Sequence, residues 1–307
     1  MNPVLPIVLF AALTAPQEPV PTPAGVPPGS PPAAASAPVS DSVPLGPGKA
    51  VWASSVDEAR ARAATEDKLV FLEFTTTDCG NCKRMDSLLY EAPDLDAMFR
   101  TMVPVKVDRA APVGAEFAER YGFADAPAIL ITTPEGRLVF LMEGFHNQGD
   151  FFRNAYAAVE KYRQFAKRVE SQDIAKLPMR EALETGSELY RRSDPEAALP
   201  RLRRAAVAPG ATGTDRQVAL ELLASAELDL GQPKAARSTI ERLISTTKDP
   251  ARKERAELFR AQIPLAENRP VEALALFRKF QKEHPRSVHI AQVNEVVQKL
   301  EERVPRP

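Results

Sequence analysis

Cysteine is nearly absent from this chain: 307 residues contain two, Cys79 and Cys82. Two cysteines cannot build the multi-bridge framework that staples small secreted domains. Histidine is almost as scarce, and His146, His284 and His289 are all remote from the cysteines in sequence. A structural zinc centre usually takes four Cys or His ligands, so the pair is not read as a zinc site, and no other metal or cofactor site is expected. Net charge is missing as well. Forty Lys and Arg face 41 Asp and Glu, leaving a formal charge of -1. That removes the global electrostatic case for nucleic acid or an anionic membrane surface as a partner.

A membrane-spanning segment is also lacking. The N-terminal apolar run, residues 3–15, is too short to cross a bilayer as a helix but has the length of a secretory h-region. No Lys or Arg precedes it, Leu13 is a poor residue three before a cleavage after Ala15, and no cysteine follows to accept a lipid. The expectation is a signal peptide over residues 1–15 and an exported bacterial protein, periplasmic or extracellular. The alternative is a disordered apolar tail on a cytoplasmic protein. Residues 16–48 are mostly Pro, Ala, Ser, Gly and Val with almost no charge. Such a segment buries too little apolar surface to offset its ordering entropy, and reads as an extended linker.

What remains is too long for one ordinary core and divides by composition into two folded parts. In the first, residues 49–170, Ser54 or Ser55 can cap a helix over residues 56–65, with Asp57 and Glu58 in its first turn. Leu69-Val70-Phe71-Leu72-Glu73-Phe74 is apolar enough for a central strand buried on both faces. Cys79-Gly80-Asn81-Cys82 follows directly, then a helical stretch to residue 90. A strand, a sharp turn bearing two cysteines and a helix form a redox pattern. Further strands are expected at residues 102–107, 128–132 and 138–142, the last two joined by the turn Pro134-Glu135-Gly136. Helices are expected at residues 116–121 and 150–170. This order gives an α/β layer architecture.

Residues 51–160 resemble the thioredoxin superfamily. The resemblance rests on Cys79-Gly80-Asn81-Cys82-Lys83 after the central strand, on Ala126-Pro127 before the next strand pair, and on Gly144 after the hairpin. It implies that Cys79 is the exposed attacking thiol, favoured as thiolate by the helix N-terminus, and Cys82 the buried resolving thiol. It implies a cis peptide at Pro127, beside which a substrate chain pairs like an added strand. It also implies that Glu73 is a buried carboxylate that moves the proton of Cys82; a Glu at the strand edge reaching solvent is the plainer reading. The departures are Asp78 where thioredoxins carry Trp, Gly-Asn in place of Gly-Pro, and Pro104 where a lysine often stands near the buried carboxylate. Residues 74–85 look more like the thioredoxin-like domains of secreted bacterial proteins. Lys83 and Arg84 read as solvated helix positions.

Beyond residue 176 the strand patterns vanish and helical periodicity takes over. Helix breaks recur at Pro195, Pro233 and Pro270, spaced 38 and 37 residues. After each comes an alanine (Ala198, Ala236, Ala273) and, four residues later, a large apolar residue (Leu202, Ile240, Phe277). The pattern resembles tetratricopeptide repeats, so an all-α helical-repeat solenoid is expected over residues 176–304, closed by a capping helix over residues 287–304. Pro264 is expected to kink or end its helix. Arg201, Arg203 and Arg204 read as a solvated basic face. Such solenoids commonly bind a peptide or protein on their concave face.

The functional expectation is a thiol–disulfide oxidoreductase with no cofactor beyond its dithiol. Its partners would be a protein disulfide or dithiol substrate, an electron donor or acceptor, and a peptide or protein on the repeats. The alternatives are a redox-silent adaptor and a copper(I)-handling maturation factor, since soft thiolates suit that ion.

Overall fold

A computed structural model describes residues 51–89, 93–208 and 213–303 of the protein. The expected signal peptide and Pro/Ala-rich linker lie outside the described residues. Two compact units emerge: residues 51–172 with 191–194, and residues 173–190 with 195–303.

The first unit is built on β1 (Leu69–Thr75), whose five interior residues are all buried. It pairs in parallel with β2 (Met102–Asp108) and antiparallel with β3 (Ala128–Thr132), which pairs antiparallel with β4 (Leu138–Glu143). The sheet order is β2-β1-β3-β4. A parallel pair needs a long crossover, and here α2 (Gly80–Leu89) and α3 (Pro93–Phe99) supply it. α3 goes beyond the sequence expectation; its first turn carries Asp94 and Asp96, which suit the helix dipole.

Strand alternation divides the core. Val70, Leu72, Phe74, Val103, Val105 and Val107 face α1 (Val56–Glu66) and α4 (Pro112–Tyr121), burying Ala59, Ala63, Phe117 and Tyr121. On the opposite face Phe71 meets Phe99 of α3 and Phe151 of α5 (Gln148–Glu170) edge to face. Glu73 lies two residues from Phe71 and therefore shares its face. Ser55 is the cap of α1, accepting the Glu58 N–H. α4 ends where Gly122 adopts φ 73°, a left-handed conformation that glycine takes without strain.

The second unit is entirely helical apart from its turns: a 3₁₀ turn (Ile174–Lys176), then α6 (Met179–Arg191), α7 (Pro195–Val207), α8 (Gly213–Asp229), α9 (Pro233–Thr246), α10 (Pro250–Ala266), α11 (Pro270–Glu283) and α12 (Ile290–Arg303). Consecutive helices from α7 to α12 pack on one another. Pro195, Pro233 and Pro270 each open a helix, where the missing N–H costs nothing. Two residues before each lies a left-handed residue: Ser193 (φ 60°), Gly231 (φ 65°) and Asn268 (φ 55°). Ala198, Ala236, Ala273, Leu202, Ile240 and Phe277 are all buried. Twelve residues before each alanine stands a second small buried residue: Gly186, Ala224 and Ala261. Small residues on facing helices let their axes approach.

Two sequence expectations bear on these helices. Pro264 sits two residues before the end of α10 at Ala266. It lies in the last turn, and its carbonyl still accepts the Arg269 N–H at 2.8 Å. Arg201, Arg203 and Arg204 do not form one solvated basic face: Arg203 is exposed, Arg204 half-buried and Arg201 buried. Arg201 is 5% exposed with a bond to the Ala197 carbonyl. Arg203 reaches Glu227 at 3.4 Å, and Arg204 donates to the Leu177 carbonyl at 3.0 Å. Adjacent helix residues point in different directions, so a run of like charges need not form one face.

Candidate active site

β1 ends at Thr75, and the chain turns through Thr76-Thr77-Asp78 before α2 begins at Gly80. Cys79 is therefore the residue just ahead of the helix, in the capping position. Its N–H donates to the Thr76 carbonyl at 3.3 Å. Its Sγ accepts the backbone N–H of Cys82 at 3.0 Å, as a serine or aspartate oxygen would at a helix N-terminus. Cys79 and Cys82 are joined by a disulfide, with Cα atoms 5.2 Å apart. Cys82 is 2% exposed, whereas Cys79 is half-buried and Asp78, Gly80 and Asn81 are exposed. A side chain at Gly80 would meet nothing within 4 Å.

The bond between Ala126 and Pro127 is cis. Register places Ala128 opposite Phe74, so Pro127 stands at the same end of the sheet as the cysteine turn. The Pro127 carbonyl accepts the N–H of Gly144 at 2.8 Å, which ties the loop to the end of β4. Gly144 has φ 84° and open space around its missing Cβ. Two residues that the sequence reading passed over hold the loop. Glu143 accepts the N–H groups of Ala124 and Asp125 at 2.9 and 3.0 Å. Arg109 donates twice to the Ala124 carbonyl, at 3.1 and 2.8 Å, while its own N–H bonds the Thr75 carbonyl. Their signal was faint: one charge at each strand end. Arg84 is exposed, but its guanidinium lies over the Phe145 ring at 4.5 Å and links α2 to this loop.

Within β1, Glu73 is 2% exposed, so it does not reach solvent at a strand edge. It is paired, although not through position 104. In the parallel register Glu73 stands opposite Lys106, while Pro104 stands opposite Phe71. The Lys106 ammonium is 3.6 Å from Glu73 Oε1 and 3.0 Å from Asp86 Oδ2. It also lies 5.7 Å from the Trp52 ring centre. A buried carboxylate needs such a partner to remain ionised. Asp86 lies four residues after Cys82, on the same face of α2.

Among the described residues one group of possible metal ligands occurs, Glu257, Glu283 and His284 in the helical unit, and His284 Nε2 is already held by Glu257 at 2.7 Å.

The family model described as a thioredoxin-like domain matches residues 56–158. Among solved structures, the chain is similar to the solution structure of a thioredoxin from Thermus thermophilus. The two share 22% identity over 33% of this chain and 80% of that one, with a TM-score of 0.30. No curated protein matches the chain closely enough to compare. The protein thus combines a small mixed α/β thioredoxin-like region with a C-terminal region of consecutively packed helices. The former supports a general thiol–disulfide function.

Proposed function

We propose that the protein is a thiol–disulfide oxidoreductase acting on protein disulfides through Cys79 and Cys82. The observation that carries this reading is the Cys79 sulfur in the capping position of α2, half-buried, accepting the Cys82 N–H at 3.0 Å. A thiolate there is favoured by the unpaired N–H groups and the helix dipole, and it is reachable by a partner disulfide.

In the reductive direction the Cys79 thiolate attacks one sulfur of a substrate disulfide. A mixed disulfide forms and the other substrate sulfur leaves as a thiolate. Cys82 then loses its proton to Glu73 and attacks Cys79 Sγ, which releases the second substrate thiolate. The pair is oxidised by two electrons and the substrate disulfide is reduced by two. The reverse sequence oxidises a substrate dithiol. The open space beside Gly80 and Gly144, and the cis bond at Pro127, suit an extended substrate chain laid across this end of the sheet.

We further propose that the helical unit is an array of tetratricopeptide-type hairpins that docks a partner protein. Three features support the repeat: the recurrence of proline, alanine and the large apolar residue, the matching small residues Gly186, Ala224 and Ala261, and the left-handed residue two positions before each of Pro195, Pro233 and Pro270. Docking rests on what such arrays commonly do.

Insulin reduction by the full chain in dithiothreitol tests the enzyme reading. Turnover is expected, with loss on Cys79→Ser and accumulation of a mixed disulfide with Cys82→Ser. No turnover, together with no trapped partner in the native host, overturns it. The potential of the pair then fixes the direction. A value near about -270 mV marks a reductant and one near about -120 mV an oxidant.

A further inference from the structure

We propose that Asp86 is a positioning residue that sets the proton affinity of Glu73 by holding the Lys106 ammonium between the two carboxylates. This rests on the dithiol reading above and deepens it.

The geometry is a cation shared unequally. Lys106 is closer to Asp86, at 3.0 Å, than to Glu73, at 3.6 Å. The Glu73 side chain is 3% exposed and has little water to call on, while Asp86 and Lys106 are about one-third exposed, at 32% and 34%. Asp86 also has acceptor capacity to spare: its Oδ1 is buried and takes no hydrogen bond from the described residues. Attraction falls with distance. An ammonium held by a second anion therefore compensates Glu73 less than one given wholly to it, and Asp86 adds a negative charge of its own. Both effects favour the protonated form of Glu73.

That matters because Glu73 must do two opposed things. It has to be ionised to accept the proton of Cys82, and basic enough to take it. A carboxylate fully satisfied by lysine is a poor base. The position of Asp86, four residues beyond Cys82 on the same helix face, places this adjustment beside the thiol that it serves.

Charged groups also lie on the elements packed around the cluster. On α2, Lys83 and Arg84 are exposed, the latter over Phe145. On α3, Asp94 and Asp96 are exposed; on α5, Arg153 pairs with Asp150. Asp108, at the end of β2, is exposed and accepts the Ala110 N–H. β3 places the uncharged Ile129 opposite Glu73, and the segment before α1 contributes the Trp52 ring. On α1, Glu58 pairs with Arg62 and Glu66 with Arg62 and Lys68, Arg60 lies over the Phe117 ring, and Asp57 is exposed.

The test is a titration of the reduced full chain carrying ¹³C-labelled glutamate, with the Glu73 carboxyl resonance assigned by its loss in Glu73→Gln. Asp86→Asn, and Asp86→Ser as a second variant in case the amide disturbs α2, are expected to move the Glu73 midpoint to lower pH by about half a unit, roughly a threefold weaker proton affinity. In a Lys106→Met background the same substitution is expected to shift it less than half as far. An unchanged midpoint overturns the proposal. So does an equal shift with and without Lys106, since Asp86 would then act alone. Insulin turnover of the unmodified chain is scored separately: its absence sinks the oxidoreductase reading and leaves the titration to decide this one.

Discussion

The backbone N–H of Cys82 points at Sγ of Cys79 across 3.0 Å. One cysteine thus caps the helix that buries the other, and the two sulfurs differ in exposure. After reduction, iodoacetamide is expected to modify Cys79 at least about tenfold faster than Cys82 at neutral pH. Timed alkylation with peptide mass mapping reads the ratio; equal rates would show that the cap does not activate the thiol.

Glu73 and Lys106 are opposed in the β1–β2 register. Glu73→Gln is expected to slow the resolving step about 10²-fold, the usual scale for loss of a positioned base. Stability should hold or rise, because Lys106 keeps Asp86 as its partner and a buried charge is removed. Stopped-flow exchange with a model disulfide, alongside a thermal melt, separates the two effects. A large loss of stability with unaltered exchange would assign Glu73 to the scaffold.

A Cβ on Gly186 would lie 3.0 Å from Leu202 Cδ2 and Cγ and 3.2 Å from the Leu202 backbone nitrogen. Gly186→Val is expected to cost about 1–3 kcal/mol through this contact between α6 and α7. Adding Leu202→Ala should restore less than expected from a sum of independent sites or more, but not the sum itself, since the residues touch. Urea unfolding followed by helix signal measures both.

Tyr190 donates its hydroxyl to Asp229 Oδ2 at 2.8 Å. Burial, reinforced by the Asp229 charge, pushes the phenol well above its ordinary range. The folded state thus holds this proton more tightly than the unfolded chain. The associated stability is fully present below about pH 10 and is lost as pH rises above it. Tyr190→Phe should cost about 1 kcal/mol at neutral pH and flatten the alkaline fall in melting temperature. Tyr121, Tyr156 and Tyr162, also raised by burial, account for the slope that remains.

Much of the fold was legible because its signals are local. Leu69 to Phe74 is a nearly unbroken apolar run, and such runs become central strands. Pro195, Pro233 and Pro270 mark helix starts because proline has few other places to go. α3 was not legible: Pro93-Asp94-Leu95-Asp96 is short and polar, and its helix is held by burying Leu95, Met98 and Phe99 against the sheet. Lys106 was not legible either. Its link to Glu73 is a matter of which strand lies beside which and in what register, so an analogy by position pointed two residues away, to Pro104. Arg201 looked exposed because a run of arginines carries no information about which one turns inward.

The bond between Cys79 and Cys82 closes a ring of four residues. Cross-linking restrains an unfolded chain according to the length of loop it encloses. In the chain-entropy account so short a ring contributes about 2 kcal/mol, against about 4.7 kcal/mol for a 100-residue loop. The sheet and its helices therefore draw little of their cohesion from this bond. Reducing it is therefore expected to leave the architecture around it folded.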